Sequence, residues 1–224
     1  MRTGIFRNRR QAGEFLANEL ARHAFPDPIV LGLPRGGVPV AAEVAAKLKA
    51  PLDIILVRKI GTPMQRELAV GAVVDGGAPE IVRNEELIHE IGLTEDEFQQ
   101  EAKRQLEIIE ERRKMWVAGR SRISVKGKTA IIVDDGIATG ATVRASLHAL
   151  KRQGPQRTVI ATPVASRQAV EALRVEADHV ICLETPEYLG ALGFFYVEFT
   201  QVSDAEVSRI LEGMSAEGMP GKCN

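Results

Sequence analysis

Several things are scarce in this 224-residue chain, and each scarcity argues against a class of protein. There are two cysteines, Cys182 in an apolar, strand-like stretch and Cys223 in a polar tail, far apart in sequence. That spacing offers neither a disulfide framework nor a metal-ligand cluster, and it fits a reduced, cytoplasmic protein. No apolar run approaches the ~20 residues that cross a bilayer, so no membrane partner is expected. The first ten residues are rich in Arg but are not followed by the apolar core of a secretory signal. Neither charge sign dominates: 29 Lys and Arg stand against 30 Asp and Glu. A general nucleic-acid partner would need a basic excess, so none is expected. The histidines (His23, His89, His148, His179) form no recognisable catalytic pairing and read as structural or surface residues. Aromatics make up only 4% of the chain, so a cluster of them carries information.

What is present is an alternation of short apolar runs with helical patterns. The runs begin at Pro28, Leu52, Ala130, Thr158 and His179, and the stretches after most of them read as helices. Such alternation predicts an α/β fold with a mostly parallel central sheet and right-handed crossovers. The length suits a single domain spanning 1–224 with a sizeable core.

The stretch Ala130 to Thr142 carries the chemistry. Ala130 to Val133 is a four-residue apolar run, as in a strand covered on both faces. Asp134 and Asp135 then fall at the strand's carboxyl end, where open α/β sheets place their ligands. Ala138, Thr139, Gly140, Ala141 and Thr142 are all small or hydroxylated. Such a loop lets backbone N–H groups approach an anion, and the following helix adds its positive end. Carboxylates beside a phosphate cradle point to a sugar phosphate. The plain alternative is a strand–turn–helix with a solvated Asp pair. A nucleotide P-loop is disfavoured because no Gly-Lys-Ser/Thr ends the loop.

This stretch resembles the 5-phosphoribosyl-1-diphosphate (PRPP) motif of the type I phosphoribosyltransferases, in register throughout. The resemblance implies that Asp134 and Asp135 contact the ribose 2- and 3-hydroxyls, with Mg²⁺ held mainly through PRPP itself. It implies that Ala138 to Thr142 hold the 5-phosphate. The fold it implies is a mostly parallel sheet flanked by helices, with a helical insertion and a small hood.

Two further loops fit the same ligand. Pro28 to Leu33 reads as a strand running into Arg35-Gly36-Gly37, and Pro39 to Lys49 as a helix. A Gly pair there implies backbone that turns tightly or lies against a ligand, and Arg35 supplies a planar cation suited to phosphate. In the family this loop binds diphosphate and often holds a non-proline cis peptide, which the resemblance puts at or next to Arg35. Leu52 to Val57 reads as the next strand, ending in Arg58 and Lys59. The resemblance assigns these two cations to the diphosphate as well, and groups them with Asp134 and Asp135 as the catalytic set. Residues 61–67 match the family's mobile catalytic loop, and strands are expected over 68–74 and 80–82.

The segment 84–118 departs from a minimal fold. Thr94 and Glu97 form a capping-box pattern. Phe98, Ala102, Leu106, Ile109, Arg113 and Trp116 then recur at helical spacing, opposite a charged face. This insertion reads as a cover over the site, as the contact of a homodimer, or as a helix packed on the core. An amphipathic helix over Arg9 to His23 precedes the first strand; Arg9 and Arg10 near its start could face a phosphate, but read first as exposed surface residues. The segment 185–199 gathers Tyr188, Phe194, Phe195, Tyr196 and Phe199. Aromatics there can stack on a base; Tyr188 and Phe194 are the candidates, while Phe195 and Phe199 read as packing residues. With residues 5–25, the stretch 185–212 is expected to form the hood. A capped helix over Ser203 to Leu211 and a disordered polar end complete the chain.

The resemblance implies transfer of the 5-phosphoribosyl group from PRPP to a nitrogenous acceptor, a base or an amine, with Mg²⁺ and release of diphosphate. The alternative is a non-catalytic regulator that binds PRPP or a nucleotide, because fold and motif do not determine chemistry. Enzymes for 6-oxopurines carry an acid before the Thr-Gly of the phosphate loop; Ala138 stands there, which argues against that acceptor class. The whole of residues 5–212 is similar to a family of bacterial phosphoribosyltransferases whose acceptor the sequence does not name.

Overall fold

A computed structural model describes residues 5–62, 69–76, 78–117 and 122–217. Residues 63–67 of the expected mobile loop, residue 68 at the start of the next expected strand, and the polar end with Cys223 lie outside the described residues.

The core is a five-stranded parallel sheet. Its strands are β1 (Pro28–Gly32), β2 (Leu52–Ile54), β6 (Thr129–Val133), β7 (Arg157–Val164) and β8 (His179–Glu184), in the order β2-β1-β6-β7-β8. Alternate residues of one strand serve opposite faces. Val30, Ile131, Val133, Val159 and Ala161 pack with the helices α1 (Arg9–Leu20) and α2 (Gly37–Leu48). Ile29, Leu31, Ala130, Ile132 and Ile160 pack with α5 (Ala141–Arg152) and α6 (Arg167–Glu176). Both faces are therefore covered, which is why β6 is apolar after its first residue and buried throughout. Beyond β8 come a short 3₁₀ turn (Leu192–Phe195) and α7 (Asp204–Glu217), which extends the expected helix. Ser203 caps it, accepting from the Glu206 N–H at 3.1 Å.

The strand expected over Leu52 to Val57 is broken at Ile55. Its first half is β2; the second begins β3 (Leu56–Gly61). β3 leaves the parallel sheet and pairs antiparallel with β4 (Ala69–Gly76), which pairs with β5 (Ala78–Arg83). Arg58 and Lys59 thus sit inside an antiparallel strand rather than at the end of a core strand. The apolar run is continuous across the break, so its periodicity could not show the change of partner.

The insertion consists of α3 (Glu85–Glu90) and α4 (Glu95–Val117). The capping box forms: the Thr94 N–H donates to Glu97 Oε2 at 3.0 Å, and the Glu97 N–H to Thr94 Oγ1 at 3.3 Å. Helix α4 packs on β3, β4 and α7 and buries Phe98, Ala102, Ile109 and Trp116, as a core-packing insertion does. Arg113, within that apolar face, meets Asp53 of β2 and Asp75 of β4 at 3.1 Å each. All three side chains are nearly inaccessible, so this network clamps the two sheets and α4 together. Among the described residues, no helix is long and apolar enough to cross a membrane.

Candidate active site

Strands β1 and β6 are neighbours whose following connections diverge, which opens a crevice at their carboxyl ends. Gly32 is in register with Val133, and the Leu33 N–H donates to the Val133 carbonyl at 2.9 Å. The loop after β1 and the loop after β6 therefore start side by side. The peptide bond Pro34–Arg35 is cis, at the position the resemblance indicates.

The glycines of the first loop are shaped by the acids of the second. A Cβ on Gly36 would lie 2.1 Å from Asp135 Oδ2, and one on Gly37 would lie 2.6 Å from the Val133 carbonyl oxygen and 3.2 Å from Asp134 Oδ1. Only glycine lets the Arg35 loop close onto the Asp pair. Arg35 is half-buried and reaches Asp204, in the first turn of α7, at 3.5 Å.

Asp134 Oδ1 accepts from the Asp135 N–H at 2.9 Å. Burial, and then the neighbouring Asp135 charge, raise the Asp134 carboxyl well above its ordinary value. The Asp135 carboxylate is held at Oδ2 by the Arg9 Nε–H at 2.6 Å, with both side chains 12% exposed. Arg9 also donates to the Thr200 carbonyl at 2.7 Å and lies 3.9 Å from the centre of the Phe199 ring. Tyr196 Oη donates to the Asp135 carbonyl, and burial together with the Asp135 carboxylate raises its pKa. The expectation of an exposed Arg9 is corrected: its partner lies 126 residues away, a distance no local pattern reveals.

Ala138, Thr139, Ala141 and Thr142 are exposed at the crevice, and Gly140 is buried with φ +76° as the N-cap of α5. Thr139 Oγ1 accepts from the Ala141 N–H at 3.5 Å. Ser166, unmarked as a site residue in the sequence, donates from Oγ to the Ala138 carbonyl at 2.6 Å and secures the loop to the start of α6.

The cations of β3 diverge. Lys59 and Val57 share a face and line a cavity of about 180 Å³ with Ala141, Thr142, Ala145, Arg83 and Asn84. Arg58 points the other way, donating from Nε to Gln105 Oε1 of α4 at 2.5 Å. Burial, with Arg112 and Arg104 nearby, lowers its pKa. The structure therefore brings Arg35, Gly36, Gly37, Asp134, Asp135 and the 138–142 loop together at the two neighbouring strand ends. It places Lys59 beside that loop and turns Arg58 toward the insertion.

Residues of the two segments expected to form a hood, 5–25 and 185–212, reach the same place. Phe6 bridges to Tyr196, and Leu192 sits where a Cβ on Gly136 would lie 2.5 Å from its Cδ2. Tyr188 and Phe194 are 86% and 62% exposed, and both flank Gly190. Phe195 is buried, and Phe199 stacks on Tyr196 at 4.8 Å.

A crevice of this kind, with an acid pair and a small-residue loop at one strand end and a basic glycine loop at the next, defines an α/β protein of the type I phosphoribosyltransferase fold. Residues 5–194 match the family model "Phosphoribosyl transferase domain". The chain belongs to that family. Two Mycobacterium tuberculosis proteins, from strains CDC 1551 and H37Rv, are each named "Putative phosphoribosyl transferase" and are 42% identical over 208 residues. These matches cover 93% of this chain and 46% of each relative, so the chain spans about half their length. The crystal structure of TT1426 from Thermus thermophilus is 42% identical and superposes with a TM-score of 0.82, covering 93% of this chain and 98% of that one.

Proposed function

We propose that this chain uses PRPP as donor and transfers its 5-phosphoribosyl group to a nitrogenous acceptor, releasing diphosphate. The observation that carries this reading is the closure of the Arg35–Gly37 loop onto the Asp134–Asp135 pair, with the 138–142 loop continuing from the same strand end. One ligand with a phosphate at one end, a sugar in the middle and a diphosphate at the other matches that layout.

The roles follow from charge. As the bond from C1 to diphosphate breaks, negative charge grows on the leaving group and positive charge on the sugar. Arg35 and the Gly36 and Gly37 amides meet the first. Asp134 and Asp135 orient the ribose hydroxyls, and the net negative charge of the pair favours the second. The backbone of 138–142 and the start of α5 hold the 5-phosphate, with Lys59 adding a cation beside it. Tyr188 and Phe194 offer open ring faces to a planar acceptor.

Among the described residues no group of three or more His, Cys, Asp or Glu could hold a metal by itself. An adjacent carboxylate pair instead suits a Mg²⁺ that keeps most of its ligands from water and phosphate oxygens. When bound, Mg²⁺ supplies positive charge to the diphosphate. Cys182, a free thiol half-buried in β8, suits a reducing cytoplasm.

The test is a panel of bases and amines incubated with PRPP and Mg²⁺, with diphosphate release as the readout. Turnover with one acceptor supports the reading. PRPP binding without turnover across the panel favours a non-catalytic regulator, and no PRPP binding overturns both.

A further inference from the structure

The N-terminal helix α1 reaches the acid pair directly. Arg9 stands in the first turn of α1, set there by the Asn8 cap, whose side chain accepts from the Gln11 N–H at 3.1 Å. Its guanidinium is fixed from three sides: Asp135 Oδ2 at 2.6 Å, the Thr200 carbonyl at 2.7 Å and the Phe199 ring at 3.9 Å. Phe199 is itself stacked on Tyr196, and Tyr196 Oη donates to the Asp135 carbonyl. Asp135 is thus held at its carboxylate by Arg9 and at its backbone by Tyr196. Gly36 closes the opposite side, with no room even for a methyl group. Little freedom remains for this carboxylate to turn.

We propose that Arg9 is a positioning residue that sets the sugar specificity of the site, resting on the sugar-phosphate reading above. By taking Oδ2, Arg9 leaves Oδ1 of Asp135 as the oxygen free to accept from a ribose hydroxyl. A sugar without the hydroxyl then leaves a fixed, partly desolvated carboxylate oxygen unpaired, which costs more than the loss of one ordinary hydrogen bond. The hood thereby reads the sugar as well as covering the site. A carboxylate free to rotate would swing to water when the hydroxyl is missing and would discriminate weakly.

The experiment is calorimetry on the full chain with ribose 5-phosphate and 2-deoxyribose 5-phosphate. Wild type is expected to prefer the ribose compound by about tenfold or more. In Arg9→Ala the preference should fall toward unity, with the deoxy compound's affinity changing little. Arg9→Lys keeps the charge but cannot hold Asp135 and Thr200 together, so its ratio should lie between the two. This variant decides the matter if Arg9→Ala does not fold. Equal weakening of both sugars in these variants means a merely structural role and overturns the proposal, as does an unchanged ratio. A folded wild type that binds neither sugar overturns the sugar-phosphate reading itself. One that binds both equally leaves that reading standing and removes this one.

Discussion

Gly36 and Asp135 occupy each other's space: a Cβ on Gly36 would sit 2.1 Å from the nearer carboxylate oxygen. The atom in the way is the end of a side chain, so Gly36→Ala can be accommodated by turning Asp135 aside. That movement breaks the Arg9 pairing and misdirects the acid toward its ligand. PRPP affinity should fall by about tenfold or more, while the fold survives. At Gly37 the obstacle is backbone, the Val133 carbonyl at 2.6 Å and the Asp134 Cα at 3.0 Å. Gly37→Ala should therefore lower Tm much more than Gly36→Ala. Thermal melts paired with PRPP titrations check both; equal losses of Tm would contradict the distinction.

The acid pair stores a pH-dependent cost. Burial and the Asp135 charge raise the Asp134 pKa. Above the ordinary carboxylate value of about 4, the folded pair retains a proton that the unfolded chain has released. Folding stability therefore declines as the pH rises through the raised value. Asp134→Asn removes that decline and still accepts from the Asp135 N–H. Its Tm should exceed wild type by a few degrees at about pH 7.5, with the gap closing towards about pH 4. Its PRPP affinity should drop. A gap that widens on acidification would reverse the assigned sign.

Arg113 shows how unevenly the sequence discloses its physics. It stands in the apolar stripe of α4, and that misplacement is a visible signal of a buried partner. The partners themselves, Asp53 and Asp75, lie about 60 and 38 residues away and could not be read. The same holds for Arg9 and Asp135. What was legible was local: β6 with its acid pair and small-residue loop, the glycines after β1, the capping box at Thr94. The strands expected over 68–74 and 80–82 form as β4 and β5, but where one apolar run changes sheets at Ile55, period and composition do not change, so the pairing of β3 with them stayed hidden. Arg113→Met should strip buried Asp53 of its cation and leave Asp75 only Arg122, at 2.6 Å, costing about 3 kcal/mol and lowering Tm by about 10 °C. A shift of under about 2 °C would show that the network is not a clamp.

Asp204 occupies Arg35, the cation proposed above to meet the diphosphate. It meets Arg35 at 3.5 Å from the first turn of α7, with both side chains substantially exposed. A diphosphate arriving at the Arg35 loop must displace that contact. Exposed pairs of this kind are weak, about 0.2–1 kcal/mol. Asp204→Asn should accordingly tighten diphosphate binding by up to about fivefold, without a change in ribose 5-phosphate affinity. Weaker diphosphate binding would mean that Asp204 orients Arg35 instead of restraining it.

Lys59 and Arg58 are adjacent in sequence and opposite in direction, because successive residues of a strand face opposite sides. Lys59 lines the cavity with Thr142, and Arg58 bonds Gln105 of the insertion. Lys59→Ala should weaken PRPP by about tenfold with little change in Tm, since the side chain is exposed. Arg58→Ala should do the reverse. It leaves the buried Gln105 Oε1 without its donor, at about 1–3 kcal/mol, and so lowers Tm by several degrees with PRPP affinity nearly unchanged. Titrations and melts of the two variants side by side separate the roles. If Arg58→Ala loses donor affinity and Lys59→Ala keeps it, the strand presents its other face to the ligand, and the cavity beside Thr142 does not belong to the donor site.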